Sequence, residues 1–280
     1  MLIIIPRSGL ASRIITICDA YELAKKFKRK LIILWVMSSD CNIGYHYVFA
    51  KEQFADICVK VIEFKRFSYH LRGGGVTKIG KEVSIRLWCY LSYSLTYFYY
   101  KFRSKGHHKI HDNNNYRIDS SFIRDNESCM IKAFCGFCGE YDLKNVSFRD
   151  DLIHKANEIM NPYQGKCIGV HIRRTDHLPA KSNSLTSDFE EKISSLLAND
   201  EELFFYVAAD DIIELRNLQN EYGERIVCQT DAVQGRDSEA GMISAVIDII
   251  CLSMTNYIIG SYQSVFSKFA ATLGNIELII

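Results

Sequence analysis

From Lys166 to Ile280, short apolar runs alternate with longer segments at a nearly regular spacing, and few folds accommodate that rhythm. Lys166–Ile172, Leu203–Ala209, Arg225–Cys228, Tyr257–Gly260 and Ile276–Ile280 read as short buried strands. Between them, Ser187–Ala198, Ile212–Tyr222, Ser238–Met254 and Ser264–Leu273 read as helices. Repetition of this kind dictates a doubly wound α/β domain with a parallel sheet.

The amino end opens the same way. Leu2–Ile5 reads as a buried strand, Pro6–Leu10 as a turn, Ser12–Phe27 as a helix with Ser12 at its N-cap, and Lys30–Val36 as a second strand. The loop of this βαβ unit, PRSGLASR with Gly9 and Arg13, sits where such sheets bind ligands; the plain alternative is a tight turn. Asn161–Gly165, NPYQG, marks a linker, which divides the chain into domains at 1–161 and 162–280 and leaves a cleft between them.

The intervening sequence carries weaker patterns. A strand is expected at Val59–Phe64 and another at Met130–Phe137, a helix at Asp150–Met160, and a polar turn at Asp112–Asn115. RGGGV, Arg72–Val76, is either a loop that closes over a substrate or a linker. Ser84–Phe102 is rich in aromatic residues and runs into the basic stretch Lys101–Lys109. Two readings are open for it: a helix packed inside a domain, or one that also lies on an anionic membrane surface as a peripheral contact. HHKIH, His107–His111, offers metal-ligand spacing on a helix or is a solvated loop, and FCGFCGEY carries a single CxxC whose glycines suit a strand-end loop.

Composition excludes several function classes. In 280 residues the net charge is +1, so no whole-protein field draws in nucleic acid, and any anion site has to be local. The ten cysteines are scattered, several within apolar runs and without a secretory signal before them, which fits reduced thiols in the cytoplasm. Leu2–Ile5 is too short to span a bilayer.

The chemistry concentrates around CIGVHIRRTD, Cys167–Asp176. On a strand, Ile168, Val170 and Ile172 share one face while Gly169, His171 and Arg173 share the other, and two guanidiniums, Arg173 and Arg174, leave its carboxyl end. Arginine's planar fork of donors suits phosphate. Ligands of open α/β sheets bind beyond the strands' carboxyl ends, so Arg173–Asp176, Asp210–Asp211 and Ser261–Ser264 are expected on one rim. Ser264 is placed as a helix N-cap, where free amides and the hydroxyls of Ser261, Ser264 and Ser267 face the arginines across a diphosphate; ordinary capping is the simpler reading. Asp248 is the sole charge between Gly241 and Thr255, aligned on its helix with Ser244 and Gly241. Either a structural partner satisfies it, or paired N–H donors such as those of guanine do.

GVHIRRTD, FFYVAADD and AVIDIICLSMTNYIIGSYQSVFSKFAA together resemble the GDP-fucose-dependent fucosyltransferases of the α1,6- and protein O-fucosyltransferase group, over about Gly165 to Ile280. SGLASRIITICDAYELAKKFKRKLIILW resembles, more loosely, the family's amino-terminal loop, helix and strand, with Ser12 where the family has asparagine. The resemblance implies a GT-B fold of two facing Rossmann-like domains and an inverting, metal-independent transferase without a cofactor. By position it implies His171, Arg173 and Ser264 at the donor diphosphate with Arg174 beside them, Asp248 at guanine, and Asp210 and Asp211 near the nucleotide. The partners implied are a nucleotide sugar and a glycan acceptor. Apart from the resemblance, the reduced thiols put the chain in the cytoplasm, and the membrane-surface reading of Ser84–Phe102 would add a position at the inner face of the membrane. The α1,6 enzymes place a glutamate, proposed as base, near the position of Lys181, a poor proton acceptor. Asp176 is the nearest carboxylate, and with Arg173 it is the candidate catalytic residue. A different nucleotide-sugar donor, or a nucleotide-binding scaffold without catalysis, are the competing readings.

Overall fold

The computed structural model describes residues 1–65, 76–110, 118–139, 142–175 and 182–280, for 76–87 and 110 the backbone alone. Two all-parallel, five-stranded sheets form the cores of two compact units, one of Met1–Ser147 with Arg236–Glu239, the other of Phe148–Gly235 with Ala240–Ile280. The division after Ser147 falls earlier than the expected boundary at 161. The helix Asp150–Met160 belongs to the second unit, where its Ala156 carbonyl receives the Cys251 thiol and its Lys155 pairs with Asp231. NPYQG is therefore a turn inside that unit.

In the first unit the strands are β1 (Leu2–Pro6), β2 (Leu31–Val36), β3 (Val59–Phe64), β4 (Gly106–Ile110) and β5 (Cys129–Ala133), in the order β3-β2-β1-β5-β4. The helices are α1 (Leu10–Lys26), α2 (Val76–Arg103) and the short α3 (Ser121–Asp125). β1 and β2 are buried along their whole length, as a sheet covered on both faces requires. Helix α1 begins two residues before the expected start, with Gly9 at its N-cap. Ser12 is not the cap; it lies buried within the helix, where its carbonyl receives the Thr16 hydroxyl.

His107 and His108 lie on a strand rather than a helix or loop, so their side chains alternate across the sheet, and the helical spacing on which the metal reading relied is absent there. The polar edge strand β4 is held by its register with β5. β5 ends at Ala133, four residues before the expected end. Asp19 of α1, fully buried, accepts the amides of Phe137 and Cys138, and Thr16 reaches the Cys135 carbonyl. The CxxC segment is thus a strand-end loop anchored to α1. Arg72–Gly75, His111–Asn115 and Glu140–Tyr141 lie outside the described residues.

In the second unit, α4 (Asp150–Met160) precedes β6 (Cys167–Ile172), α5 (Thr186–Asn199), β7 (Phe204–Ala209), α6 (Ile212–Tyr222), β8 (Ile226–Val227), α7 (Glu239–Ser253), β9 (Tyr257–Gly260), α8 (Val265–Gly274) and β10 (Glu277–Ile279). The order β10-β9-β6-β7-β8 places the first strand of the unit at the centre, with the chain winding outward first to one side and then to the other. This is the Rossmann arrangement, and its switch point lies between β6 and β9. Ile168, Val170 and Ile172 join Phe189, Phe205 and Val207 in the core on one face. On the other face Gly169 admits the close approach of α7 and the turn beyond it: a Cβ there would stand 2.8 Å from Thr255 Oγ1 and 3.0 Å from Leu252 Cδ2.

Candidate active site

At the switch point the ends of β6 and β9 are stitched together by one hydroxyl. Ser261, fully buried, donates to the His171 carbonyl at 3.0 Å and accepts from the Arg173 amide at 3.0 Å. Its oxygen is engaged with backbone, so it fixes the rim on which Arg173 stands. Beyond β7, Asp210 does the same for the next residues, accepting from the Arg174 amide at 2.6 Å and from the amide and hydroxyl of Thr175. Asp211 caps α6 by accepting from the Ile213 amide at 2.9 Å. The loops after β6, β7 and β9 are therefore at one edge, as expected, although Asp210, Asp211 and Ser261 are occupied there in shaping it.

The two arginines part company. The Arg174 guanidinium pairs with Glu214 at 3.1 Å, donates to the Ser184 carbonyl at 2.6 Å and to Thr186 Oγ1 at 3.1 Å, and lies over the Phe189 ring. These contacts bind α5 and α6 to the end of β6. The expectation that Arg173 and Arg174 emerge side by side is not met, because successive residues of an extended chain point to opposite faces. Arg173 is partly buried; desolvation works against its charge and the nearby Asp210 carboxylate works for it. Asp176 and Lys181 lie outside the described residues.

His171 is buried, stacked on Phe266 with ring centroids 4.8 Å apart, and its Nδ1 is 2.7 Å from Ser267 Oγ and 3.5 Å from Ser264 Oγ. Burial pushes its pKa down to about 4, which leaves the imidazole neutral at physiological pH. Gly260 makes this approach possible, since a Cβ there would meet Ser267 Cβ at 2.8 Å. Ser264 is the N-cap residue of α8, as expected, but its side chain makes no capping bond. The first-turn amides of α8, which no helix satisfies internally, are thus not capped by their own serine, and the helix dipole favours an anion at that end.

Asp248 of α7 lies elsewhere in the unit. Its Oδ1 accepts from Tyr206 Oη at 2.7 Å and from Gln229 Nε2 at 2.5 Å, and burial pushes its carboxyl up to about 6 against the effect of both bonds. Gln229 also donates to the Ser244 carbonyl at 2.9 Å, which fixes which way its amide faces. Its Oε1 is then buried without a hydrogen-bond partner among the described residues. Tyr206 and Gln229 were not singled out in the sequence. A tyrosine inside an apolar strand and a glutamine after a two-residue strand carry no local signal of their function.

In the first unit, Arg13 is fully buried. It donates from Nε to the Ser8 carbonyl at 2.8 Å, from Nη1 to the Val36 carbonyl at 2.6 Å and from Nη2 to Ser38 Oγ at 2.8 Å, and packs against the Trp35 ring. Every nitrogen of the guanidinium is committed to tying the β1 loop to the end of β2. Arg13 is a brace, and the expectation that it presents its charge to a donor is not supported. Gly9 is the N-cap of α1 with an ordinary extended φ of −73°, while the strained residue of that turn is Ser8, at φ 71°.

A cavity of about 630 Å³ opens in the second unit between α5 and the β9–β10 edge, lined among others by Ser184, Asp188, Lys192, Tyr257 and Ile280. His171, Arg173 and Asp248 do not line it. No three His, Cys, Asp or Glu side chains converge as a metal-binding group among the described residues.

No protein-family model matches the sequence, and no curated protein matches it either. Solved structures do. The fucosyltransferase NodZ from Bradyrhizobium is similar with a TM-score of 0.57 at 16% identity, over 96% of this chain and 91% of that one. POFUT1 in complex with GDP gives 0.52 at 10% identity, over 99% and 97%. Arabidopsis thaliana FUT1, in a mutant form bound to GDP, gives 0.56 at 14% identity, over 99% and 69%. The chain thus has the fold of the GDP-fucose-dependent fucosyltransferases, a GT-B architecture of two Rossmann-like α/β units.

Proposed function

We propose that the protein is an inverting glycosyltransferase that takes fucose from GDP-fucose and passes it to a glycan hydroxyl without a metal ion. The observation that carries this reading is the tie, at a Rossmann switch point, of the Arg173 backbone through Ser261 to the loop that leads into α8, a helix whose cap serine makes no capping bond. A diphosphate between Arg173 and the start of α8 would receive a guanidinium from one side and backbone amides from the other. NodZ soaked with GDP-fucose and POFUT1 in complex with GDP share this fold, and that likeness supports a guanine nucleotide as the ligand here.

In the transfer step the acceptor hydroxyl gives up its proton, for which Asp176 is the carboxylate the sequence offers, as its oxygen attacks the anomeric carbon; the bond from that carbon to the β-phosphate oxygen breaks, and GDP leaves with the electron pair. Charge grows on the diphosphate as it departs, and preorganised donors aimed at that charge lower the barrier. Arg173 and the α8 amides are those donors. His171, neutral and held by Ser267, supports Ser264 from beneath. The guanine edge is assigned to Asp248 and Gln229: beside the carboxylate lies a buried acceptor in want of an N–H donor, and guanine's Watson–Crick edge carries two such groups. Donor-hydrolysis and transfer assays with GDP-fucose, GDP-mannose, UDP-glucose and ADP-glucose test the reading. Turnover of GDP-fucose above the others supports it; preference for a uridine or adenine donor refutes the base assignment; and no turnover with any donor refutes the enzyme.

A further inference from the structure

Helix α2 is apolar on two opposite faces, and the described residues cover one of them. Tyr93, Tyr97 and Tyr100 pack against the core of the first unit. On the opposite side Trp88, Leu91, Leu95, Phe98, Tyr99 and Phe102 are all exposed, Trp88 by 73%, Leu95 by 71% and Phe102 by 89%. At about 100° per residue these six fall within an arc of about 100°, in a stripe about 21 Å long, and no charged residue interrupts it. Scattered surface hydrophobics need no explanation, but a continuous stripe marks a contact.

We propose that this stripe docks the protein on the surface of an anionic lipid bilayer. Charge selects that occupant. Between Val83 and Ile110 the sequence has no acidic residue, while Arg86, Lys101, Arg103, Lys105 and Lys109 are basic. Lys105 is paired with Glu127, but Lys101 lies over the Tyr97 ring and Arg103 over the Tyr99 ring, flanking the lower end of the stripe with exposed charges. Aromatic side chains beside lysine and arginine are the composition that bilayer interfaces select, the rings at headgroup depth and the cations toward lipid phosphate. A second copy of the chain fits less well, because a self-complementary helical seam needs acidic residues to meet Lys101 and Arg103, and this stretch has none. The contact is parallel to the surface: no helix among the described residues is long and apolar enough to cross a membrane. Docking of this kind does not depend on the donor assigned above, and its test uses neither donor nor acceptor.

The full chain is mixed with vesicles of phosphatidylcholine alone and of phosphatidylcholine with phosphatidylglycerol, and followed by flotation and by tryptophan emission. Trp35 is fully buried, so a blue shift on binding reports Trp88. Binding to the anionic vesicles with that blue shift, weaker binding to neutral ones, and a loss of about tenfold or more in Trp88→Ser/Leu95→Ser/Phe102→Ser with an unchanged melting curve are expected. Absence of binding to anionic vesicles overturns the proposal, as does binding without a shift in emission. A dimer in light scattering that the triple substitution dissolves, with no vesicle binding, would assign the stripe to a second copy instead.

Discussion

Replacing Asp248 by asparagine should make the protein more stable and, on the proposed function, a weaker binder of GDP. The carboxyl, ordinarily near 3.8, is raised to about 6 by burial, which outweighs the hydrogen bonds from Tyr206 and Gln229. A folded-state pKa above the unfolded value means that the native state binds the extra proton. The stability the protonated form enjoys is present below about 3.8 and is lost as pH rises through about 6. A shift of that size corresponds to about 3 kcal/mol at neutral pH. Asparagine carries no charge to desolvate and keeps an Oδ1 that accepts from both donors. Denaturation at pH 7.5 should therefore show the variant more stable, by up to about 3 kcal/mol or roughly 5 °C in melting temperature. The advantage should shrink toward zero as pH falls to 4. A variant less stable at pH 7.5, or an advantage independent of pH, would refute this reasoning, because the carboxylate would then be stabilised in place by its neighbours.

Three further outcomes follow from the same structure. His171, pushed down to about 4, has the opposite sign: its neutral form is favoured in the fold, and that stability is lost as pH falls from 6.5 through 4. Stability titrations of His171→Gln should show the variant gaining about 3 kcal/mol on the wild type across that window. Arg13→Ala strips one buried and two part-buried acceptors of their donor and should destabilise the first unit by about 2–4 kcal/mol in denaturant melts, while folded protein keeps its affinity for GDP. Arg174→Ala should loosen α5 and α6, seen as faster amide exchange around Glu214 and Thr186, with a smaller loss of GDP affinity than Arg173→Ala.

Most of the second unit was legible because parallel strands covered on both faces leave an unmistakable trace. Asp150–Met160, Ile212–Tyr222 and Tyr257–Gly260 occur where the pattern put them, and the other elements differ by a single residue at one or both ends. β4 escaped because Gly106, His107, His108 and Lys109 have no apolar alternation; their strand exists through pairing with β5, a contact between distant residues. Asp19 escaped for a related reason. Within α1 it reads as one more polar helical position, and only the fold brings the Phe137 and Cys138 amides to it. At the site, the residue types at the strand ends were readable but their commitments were not. Arg13 and Arg174 look like Arg173 in the sequence, yet one is a brace inside the first unit and the other a tie between α5 and α6. Ser264, for which simple capping was the plainer reading, makes no capping bond and stands beside His171 instead.

Everything proposed for the function depends on Arg173, at the β6–β9 switch point, binding the diphosphate of a guanine nucleotide. Calorimetric titration of GDP into the wild type and into Arg173→Ala addresses it directly, with circular dichroism melts to verify the fold. Saturable GDP binding by the wild type and a loss of about tenfold or more in the variant, with superimposable melts, are expected. No GDP binding by the wild type, or equal affinity in the two proteins, would contradict it.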